Sequence, residues 1–322
     1  MPTQCPKRMT YGPCGGVRPD SSCEMVAMPC AFPAPVVSAE QVPGVPLARV
    51  PLVLADISAP PFDLDALRRA AAIMVPSSDA MLVGEHHNRP DFPPTIVAQT
   101  LLQAGARPWI TLACRDRNRV VLEQELRGLR HVGVDAVLCV TGDGRGPDVR
   151  PDVTQVWDLD GPRLVALAAS LGLSAAVPET PTAPPIALRA QRLVAKQRLG
   201  AAVAVLNHVV RPALASEFVA TARRLGLTIP IIASVATYTD AASAAALSAL
   251  PGLELDAASV AAVLGATDPV AAGIAAVVDE ARALLAIDGV VGVNVSGSAS
   301  ARGWEYAARV KAEVGAQIRT MW

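Results

Sequence analysis

Short apolar segments alternate with longer amphipathic segments from about residue 51 to residue 300 of this 322-residue chain. The apolar segments are nearly continuous runs of Val, Ile, Leu and Ala, as in parallel strands that are buried on both faces. The predicted strands lie near residues 52–56, 80–84, 109–113, 136–141, 173–177, 202–206, 230–235 and 290–295. The segments between them carry Ala, Leu and Arg at helical spacing. Eight strands joined by helical crossovers predict an α/β fold, the (β/α)8 TIM barrel.

Segments on both sides of the barrel have a different pattern. Residues 1–45 are rich in Cys, Pro and Gly and show no helical or alternating period, which predicts a small metal-binding module and a linker. The barrel is expected over residues 46–300, with an extra short helix within Pro251–Asp268 between strands seven and eight. Residues 301–322 follow the barrel, and a last helix is predicted over 301–318.

Composition narrows the function classes. Hydrophobic residues make up 52% of the chain but aromatic residues only 3%, so the core is expected to consist of Ala, Val and Leu. The formal net charge of −1 gives no electrostatic reason to expect nucleic acid or an anionic membrane as a partner. The apolar runs are shorter than a bilayer span, and no secretory signal is visible. We therefore expect a cytoplasmic protein without membrane insertion.

Two consecutive strand ends carry the most specific motifs. Strand three ends in T-L-A-C-R-D-R-N at residues 111–118, and strand four ends in V-T-G-D at residues 140–143. These motifs resemble H-L-T-C-R-D-R-N and L-T-G-D of the methylenetetrahydrofolate reductases, and a weaker likeness extends from Leu52 to Ser296. The resemblance implies a barrel oxidoreductase of one-carbon metabolism that transfers hydride at the methylene bridge of a reduced folate. It also implies NAD(P)H or another donor, acting through FAD.

The candidate catalytic residues are carboxylates at strand ends. By resemblance, Asp143 is the acidic residue beside the flavin, and the alternative is an N-cap of the following helix. Asp56 lies one residue before the position of the family's proton donor, and a one-residue slip reverses the face of a strand unless a bulge restores it. Asp56 is therefore either the acid or a structural carboxylate. In G-E-H-H-N after strand two, Glu85 is a candidate acid and His86 a candidate substrate ligand, because both side chains suit proton transfer.

Other strand-end residues are expected to bind substrate or cofactor. Arg115 and Asp116 of the strand-three motif are candidate substrate ligands. Asn207 is a third, because it replaces a Gln that the family has at the end of strand six. Thr141 and Gly142 of the strand-four motif are candidate cofactor ligands.

A basic face is predicted on helix five. Lys196 matches a Lys of the family, and Arg189 and Arg192 lie seven and four residues before it, on the same helix face. Such a group can bind a dinucleotide phosphate, and the alternative is an exposed helix face. Thr111 and Val177 depart from the flavin-binding pattern of the family. A flavin-free enzyme with direct hydride transfer from a nicotinamide therefore stays an alternative.

Four cysteines occur within the first 30 residues, with the spacing C-x8-C-x8-C-x6-C. They are Cys5, Cys14, Cys23 and Cys30. In a reducing compartment such a group favours a metal site over disulfides, with zinc as the simplest occupant and an iron–sulfur cluster or unligated thiols as alternatives. The segment resembles a cysteine-rich segment at the C-terminus of reductase-related proteins that work beside corrinoid methyl transfer. That resemblance implies an alternative function, a non-catalytic, electron-transfer or scaffold subunit of a partner reductase or corrinoid methyltransferase.

Overall fold

Eight parallel strands form a closed barrel in the computed structural model, which describes residues 5–36, 40–146, 149–250, 253–297 and 300–321. Each strand pairs with its neighbours in sequence, and the last strand pairs with the first. The strands are β1 (Val53–Ile57), β2 (Ala80–Val83), β3 (Pro108–Ala113), β4 (Ala136–Val140), β5 (Ala175–Glu179), β6 (Ala201–Leu206), β7 (Ile231–Ala236) and β8 (Val290–Ser296). The predicted TIM barrel is confirmed.

Helices cover the outside of the barrel. They are α1 (Leu64–Met74), α2 (Pro94–Gln103), α3 (Arg119–Val132), α4 (Gly161–Ser170), α5 (Arg189–Arg198), α6 (Pro212–Arg224), α7 (Ala241–Ser248), α8 (Ala257–Leu264), α9 (Pro269–Leu285) and α10 (Trp304–Arg319). The extra helix predicted between strands seven and eight is α8, although Pro251 and Gly252 of its predicted range lie outside the described residues. The last predicted helix is α10. Nowhere in the described ranges is there a helix with the length and apolarity that a membrane span requires.

Alternate residues of each strand face opposite sides of the barrel wall. Leu54, Trp109 and Val203 belong to the cluster that fills the interior. Val53 and Ala55 belong to the larger cluster between the strands and the helices. This alternation is the expected two-residue period of a strand. It determines which polar side chains at the strand ends face the barrel mouth and which face the helices.

Residues 5–36 form a compact segment of turns that contains neither a helix nor an extended strand. A single antiparallel bridge joins Ser22 to Pro29. Met9, Val17 and Phe32 are buried, so the segment packs as part of the folded structure. Hydrogen bonds attach it to the loop after β4.

Candidate active site at the carboxyl ends of the strands

Two adjacent cavities open at the carboxyl ends of β1 to β4, the end at which TIM barrels carry their active sites. The first, the β1–β2 cavity, has a volume of about 440 Å³ and is lined by Asp56, Thr111 and Trp304 among others. The second, the β2–β4 cavity, has a volume of about 370 Å³ and lies among the loops after β2, β3 and β4. Glu85 and His86 line both cavities. The predicted residues of strands one and two therefore meet at one site.

Asp56 faces the barrel interior. Leu54 is an interior residue, so Asp56, two positions later, points to the same side. Its Oδ1 atom is buried without a hydrogen-bond partner among the described residues. Burial raises the pKa of the Asp56 carboxyl above its usual range, although the nearby Lys311 ammonium opposes the shift. A carboxyl that holds its proton more strongly than usual, at the edge of a cavity, has the properties of a general acid.

Glu85 lies in the wall between the two cavities. Its Oε1 accepts hydrogen bonds from Arg117 Nη1 at 2.8 Å and from the Ala113 backbone amide at 3.2 Å. Burial raises the pKa of Glu85 even though the Arg117 guanidinium lowers it. The neighbouring His86 lies 3.6 Å from an Asp91 oxygen, measured from Nε2. The loop after β2 thus supplies a second carboxyl with a raised pKa beside the cavities.

Asp116 connects the loops after β3 and β4. Its carboxylate accepts hydrogen bonds from Arg145 at 2.5 and 2.7 Å and from Arg115 Nε at 3.0 Å. Burial disfavours the charged form of Asp116, but the two guanidinium groups outweigh burial and lower the pKa of this carboxyl. Arg145 also donates to the His87 carbonyl, which attaches the loop after β2 to the same group. Asp116 and Arg145 line the β2–β4 cavity.

The β2–β4 cavity is rich in guanidinium groups. The arginines that line it are Arg89, Arg117, Arg145 and Arg150. Arg117 and Arg145 are paired with Glu85 and Asp116, whereas Arg89 is an exposed residue. Arginine suits the recognition of carboxylates because its planar fork makes two parallel hydrogen bonds.

Gly142 forms the turn after β4 and has a φ of +91°. A Cβ atom at this position would lie 2.9 Å from the Arg115 Cβ, so both the backbone conformation and the space require glycine. The preceding residue, Thr141, accepts a hydrogen bond from the Gly161 amide at its Oγ1, at 2.9 Å. Thr141 and Gly142 therefore hold the strand-four turn against α4 and the strand-three motif.

Asp143 is exposed and lines neither cavity. Its backbone carbonyl accepts a hydrogen bond from Arg115 Nη1 at 3.2 Å. Helix α4 begins much later and is capped by Asp160, whose side chain accepts from the Arg163 amide. The alternative of Asp143 as an N-cap is therefore wrong, because no helix begins there. Its assignment as the catalytic acid stays a prediction.

Asn207 lies apart from the two cavities, at the end of β6. Its Nδ2 donates to Thr180 Oγ1 at 2.7 Å, and its backbone amide donates to the Glu179 carbonyl at 2.9 Å. The side chain thus connects the ends of β5 and β6. The structure does not bring Asn207 together with Asp56 and Glu85.

The basic face of α5 is buried against β5. Glu179 points outward from β5 and lies 2.8 Å from Lys196 Nζ, 3.4 Å from Arg192 and 3.6 Å from Arg189. The alternative of an exposed helix face is wrong, because all three cations are buried. Burial, opposed by the Glu179 charge, lowers the pKa of Lys196 to about 8. The four residues are called the Glu179 cluster below.

The four cysteines of the N-terminal segment line one small cavity of about 20 Å³. A cavity of this size has room for one atom-sized occupant. Within the described residues, no three side chains of Cys, His, Asp or Glu are placed so that they could ligate one metal ion. Cys14 Sγ instead lies 3.3 Å from a Glu24 oxygen. The thiols converge on a common space without forming a closed coordination sphere.

The N-terminal segment also contacts the strand-four turn directly. Lys7 Nζ donates to the Gly142 carbonyl at 2.8 Å and lies 2.5 Å from Glu24 Oε1. Glu24 Oε2 accepts from the Gly144 amide at 3.3 Å. Thr10 donates its backbone amide to Asp160 at 2.7 Å. The cysteine segment and the loop that carries Asp143 and Arg145 are therefore one packed unit.

Several polar residues of these sites are not predicted by the sequence patterns. They are Arg117, Arg145, Glu179 and Lys311. Arg117 is part of the strand-three motif, so its position at the barrel rim can be inferred from that motif. Glu179 has a weaker signal, since it is a lone carboxylate on the outward face of an apolar strand that precedes a basic helix face. Lys311 and Arg145 carry no local signal, because their partners are distant in sequence.

Comparisons with known proteins find separate matches for the N-terminal segment and for the barrel. Residues 1–43 match a family model described as the C terminal of methylene-tetrahydrofolate reductase. The resemblance of the cysteine-rich segment to that family is thus confirmed. No curated protein matches the chain significantly in sequence.

Solved structures include barrels similar to this one. A protein from Clostridium thermocellum, described as binding two copies of 5-methyl-5,6,7,8-tetrahydrofolic acid, is 13% identical with a TM-score of 0.61 over 88% of this chain and 97% of that chain. Tryptophan synthase from M. tuberculosis is 14% identical with a TM-score of 0.47, over 83% of this chain and 92% of that one. A 2,3-dimethylmalate lyase is 10% identical with a TM-score of 0.45, over 76% and 75%. The likeness to the Clostridium thermocellum protein shows a common fold and nothing more.

Proposed function

We propose that the protein binds a reduced folate in the β1–β2 cavity and transfers hydride at its methylene bridge, as methylenetetrahydrofolate reductases do. The observation that carries the proposal is Glu85, a half-buried carboxyl with a raised pKa in the wall of two cavities. The family match of residues 1–43 and the folate-binding barrel from Clostridium thermocellum support the substrate class.

Two carboxyls are available for the proton that this reaction requires. Reduction of a methylene bridge adds one hydride to the methylene carbon and one proton to the ring nitrogen that leaves it. Asp56 and Glu85 line the same cavity, and burial favours the protonated form of both. Either carboxyl can donate the proton when the bridge opens and take it back in the reverse direction.

The β2–β4 cavity suits the anionic tail of a folate. A folate carries a glutamate tail with carboxylates, and this cavity presents two exposed arginines, Arg89 and Arg150, of which Arg150 forms an exposed pair with Asp152. Guanidinium groups bind carboxylates well. The tail in this cavity would place the ring system near Glu85 and Asp56. We expect a longer polyglutamate tail to bind more tightly, and Arg150→Gln to reduce that gain.

The hydride donor is the least defined part of the proposal. The resemblance implies FAD or a nicotinamide, with Arg189, Arg192 and Lys196 as the predicted phosphate ligands. All three are buried and paired with Glu179, so these residues do not suit a phosphate ligand. The proton transfer proposed for Asp56 and Glu85 is the same whichever donor supplies the hydride. An absorbance spectrum of the purified protein distinguishes a flavin, an iron–sulfur cluster and a colourless protein.

The decisive experiment compares Glu85→Gln with the parent in folate binding and in turnover. The variant should bind methyltetrahydrofolate within a few-fold of the parent, while turnover falls about 10²-fold or more, because proton transfer is lost. Glu123→Gln, at a surface position on α3, is the matched control. Parental turnover by Glu85→Gln would exclude Glu85 as the proton donor.

A non-catalytic function is the second candidate. It is favoured by Asp143 and Asn207, because neither lines the cavities that hold Asp56 and Glu85. In that case the barrel would bind a folate for a partner reductase or corrinoid methyltransferase. Folate binding without turnover, with NADH, NADPH or a reduced dye as donor, would support this function over the enzyme.

The cysteine segment is proposed to bind one metal ion. The four thiols line one cavity of about 20 Å³, which suits a single ion better than a multi-iron cluster. Small movements of the side chains are needed to close the coordination sphere. Elemental analysis should find close to one zinc per chain in the parent, and none after all four cysteines are changed to Ser. Equal metal content in both proteins would contradict the assignment.

A further inference from the structure

The Glu179 cluster has an excess of positive charge in a buried place. Arg189, Arg192 and Lys196 supply three cations, and Glu179 is the only described carboxylate that forms an ion pair with any of them. The Arg189 side chain is 0% exposed, and those of Lys196 and Arg192 are 5% and 10% exposed. Two positive charges are therefore left without a counter-charge among the described residues. Backbone carbonyls of Ala183, Pro184 and Cys14 accept hydrogen bonds from Arg189, and that of Pro178 accepts one from Lys196, but carbonyls carry no net charge. Because buried cations are costly unless they are paired, an anion beside the cluster would stabilise it.

The cluster touches the cysteine segment. Arg189 Nη1 donates to the Cys14 carbonyl at 3.1 Å, while the same guanidinium lies 3.6 Å from Glu179. The Cys14 and Cys30 thiols are close enough to act electrostatically on Arg189. Arg189 is therefore the member of the cluster that links it to the cysteine segment. The cluster lines neither the β1–β2 cavity nor the β2–β4 cavity. A ligand bound in either cavity therefore does not contact the cluster.

We infer that the Glu179 cluster is the built-in counter-charge of a dianionic tetrathiolate metal centre formed by the four cysteines. Four thiolates around a divalent zinc ion carry two net negative charges. This charge equals the excess that the cluster presents. Arg189, Arg192 and Lys196 are thus positioning residues for a metal centre, and their charge favours the metal-loaded state of the site. The inference depends on the proposed metal site and is independent of the proposed folate chemistry.

The test measures zinc affinity by competition with a chromophoric chelator. Arg192→Gln removes one cation at the most exposed member of the cluster, and it should weaken zinc binding about tenfold or more. Arg192→Lys retains the charge and should restore most of the affinity. Arg198→Gln is the matched control, because Arg198 is an exposed cation on the same helix. It should leave the affinity unchanged.

Glu179→Gln gives the opposite change of charge. It increases the positive excess next to the thiolates, so zinc should bind as tightly as in the parent or more tightly. A merely structural role for the cluster predicts weaker binding in both glutamine variants, and that result would overturn the inference. Equal affinity of Arg192→Gln and the parent would overturn it as well. Loss of nucleotide or flavin binding by Arg192→Gln, at parental zinc affinity, would assign the cluster to a phosphate instead.

A variant without the four cysteines provides a second readout that does not depend on metal binding. In that background no anionic metal centre balances the excess positive charge, so Arg192→Gln should raise the stability to urea. In the zinc-loaded parent, the same substitution should lower the stability to urea. If Arg192→Gln does not fold in the parent, the cysteine-free background still decides the matter. Failure to fold in both backgrounds means a packing role and contradicts the inference. A parent that binds no metal contradicts both the metal site and the inference.

Discussion

The Lys7 ammonium donates a hydrogen bond to the Gly142 carbonyl at 2.8 Å, although the two residues are 135 positions apart. The same ammonium pairs with Glu24 and lies 5.5 Å from the centre of the Trp157 ring. A buried cation thus joins the cysteine segment to the turn after β4. The V-T-G-D turn is therefore supported from outside the barrel as well as by the barrel itself.

Lys7→Met should lower the free energy of unfolding by about 3 kcal/mol. The change removes the buried cation and leaves the half-buried Glu24 carboxylate without its ion-pair partner, and the loss of one member of a largely buried pair has about this magnitude. Arg8→Met is the control, because Arg8 forms an exposed pair with Asp158 and should contribute less than about 1 kcal/mol. Urea unfolding of the three proteins measures the difference. Equal effects of the two substitutions would show that Lys7 does not anchor the segment.

Asp160→Ala should destabilise the protein more than Asp256→Ala does. Both aspartates cap a helix, but Asp160 is fully buried and also accepts the Thr10 amide. An exposed cap contributes about 1 kcal/mol, and the loss of the part-buried hydrogen bond from the Thr10 amide to a charged acceptor adds about 1.5 kcal/mol. Thermal and urea unfolding give the two values. Faster proteolysis within residues 5–36 is expected for Asp160→Ala alone.

Asp143→Asn tests the catalytic assignment of the strand-four motif. No helix depends on this side chain, so we expect almost no change in stability. If Asp143 is near the reacting groups in the folate complex, turnover should fall about 10²-fold, because a preorganised charge is lost. A folded Asp143→Asn variant with parental turnover would leave Asp56 and Glu85 as the remaining candidate acids.

Because of Lys311, the free energy of unfolding should increase as the pH is raised from about 8 to 10.5. Burial lowers the pKa of Lys311 from 10.5 to about 8, so the unfolded chain binds the extra proton within this window. The resulting destabilisation is complete below the folded pKa and disappears as the pH rises through the window. Urea unfolding at several pH values gives the free energy of unfolding as a function of pH. For Lys311→Met, the slope of this dependence should be smaller than that of the parent by about 1.4 kcal/mol per pH unit. Arg309→Met, at an exposed position of α10, should retain the parental slope.

The barrel is predictable from sequence because its signals are local. Strands that are buried on both faces appear in the sequence as short apolar runs. Few folds other than a barrel are compatible with eight such runs separated by helical segments. The spacing of Arg189, Arg192 and Lys196 also places them correctly on one face of a helix. In the same way, the alternation along β1 turns Asp56 inward without any bulge.

The partners of these residues are not predictable in this way. Glu179 and Lys311 meet their partners only when β5 packs on α5 and α10 packs on β1, and no local period records such contacts. The direction in which the basic face of α5 points depends on that packing. For the same reason, the position of Asp143 outside the cavities follows from the course of the loop after β4 and not from its motif.

The docking of the cysteine segment has a consequence for biosynthesis. The contacts of Thr10 with Asp160 and of Cys14 with Arg189 span 150 and 175 positions, so the ribosome makes the thiols long before their supports exist. A nascent chain therefore carries four solvent-accessible thiols until β4, β5 and α5 have been translated and folded. During that interval they are open to oxidants and to wrong metals. If the cysteines bind the proposed metal ion, correct loading should depend on the barrel folding first, and metal supplied during refolding should be retained more fully than metal supplied to the unfolded chain.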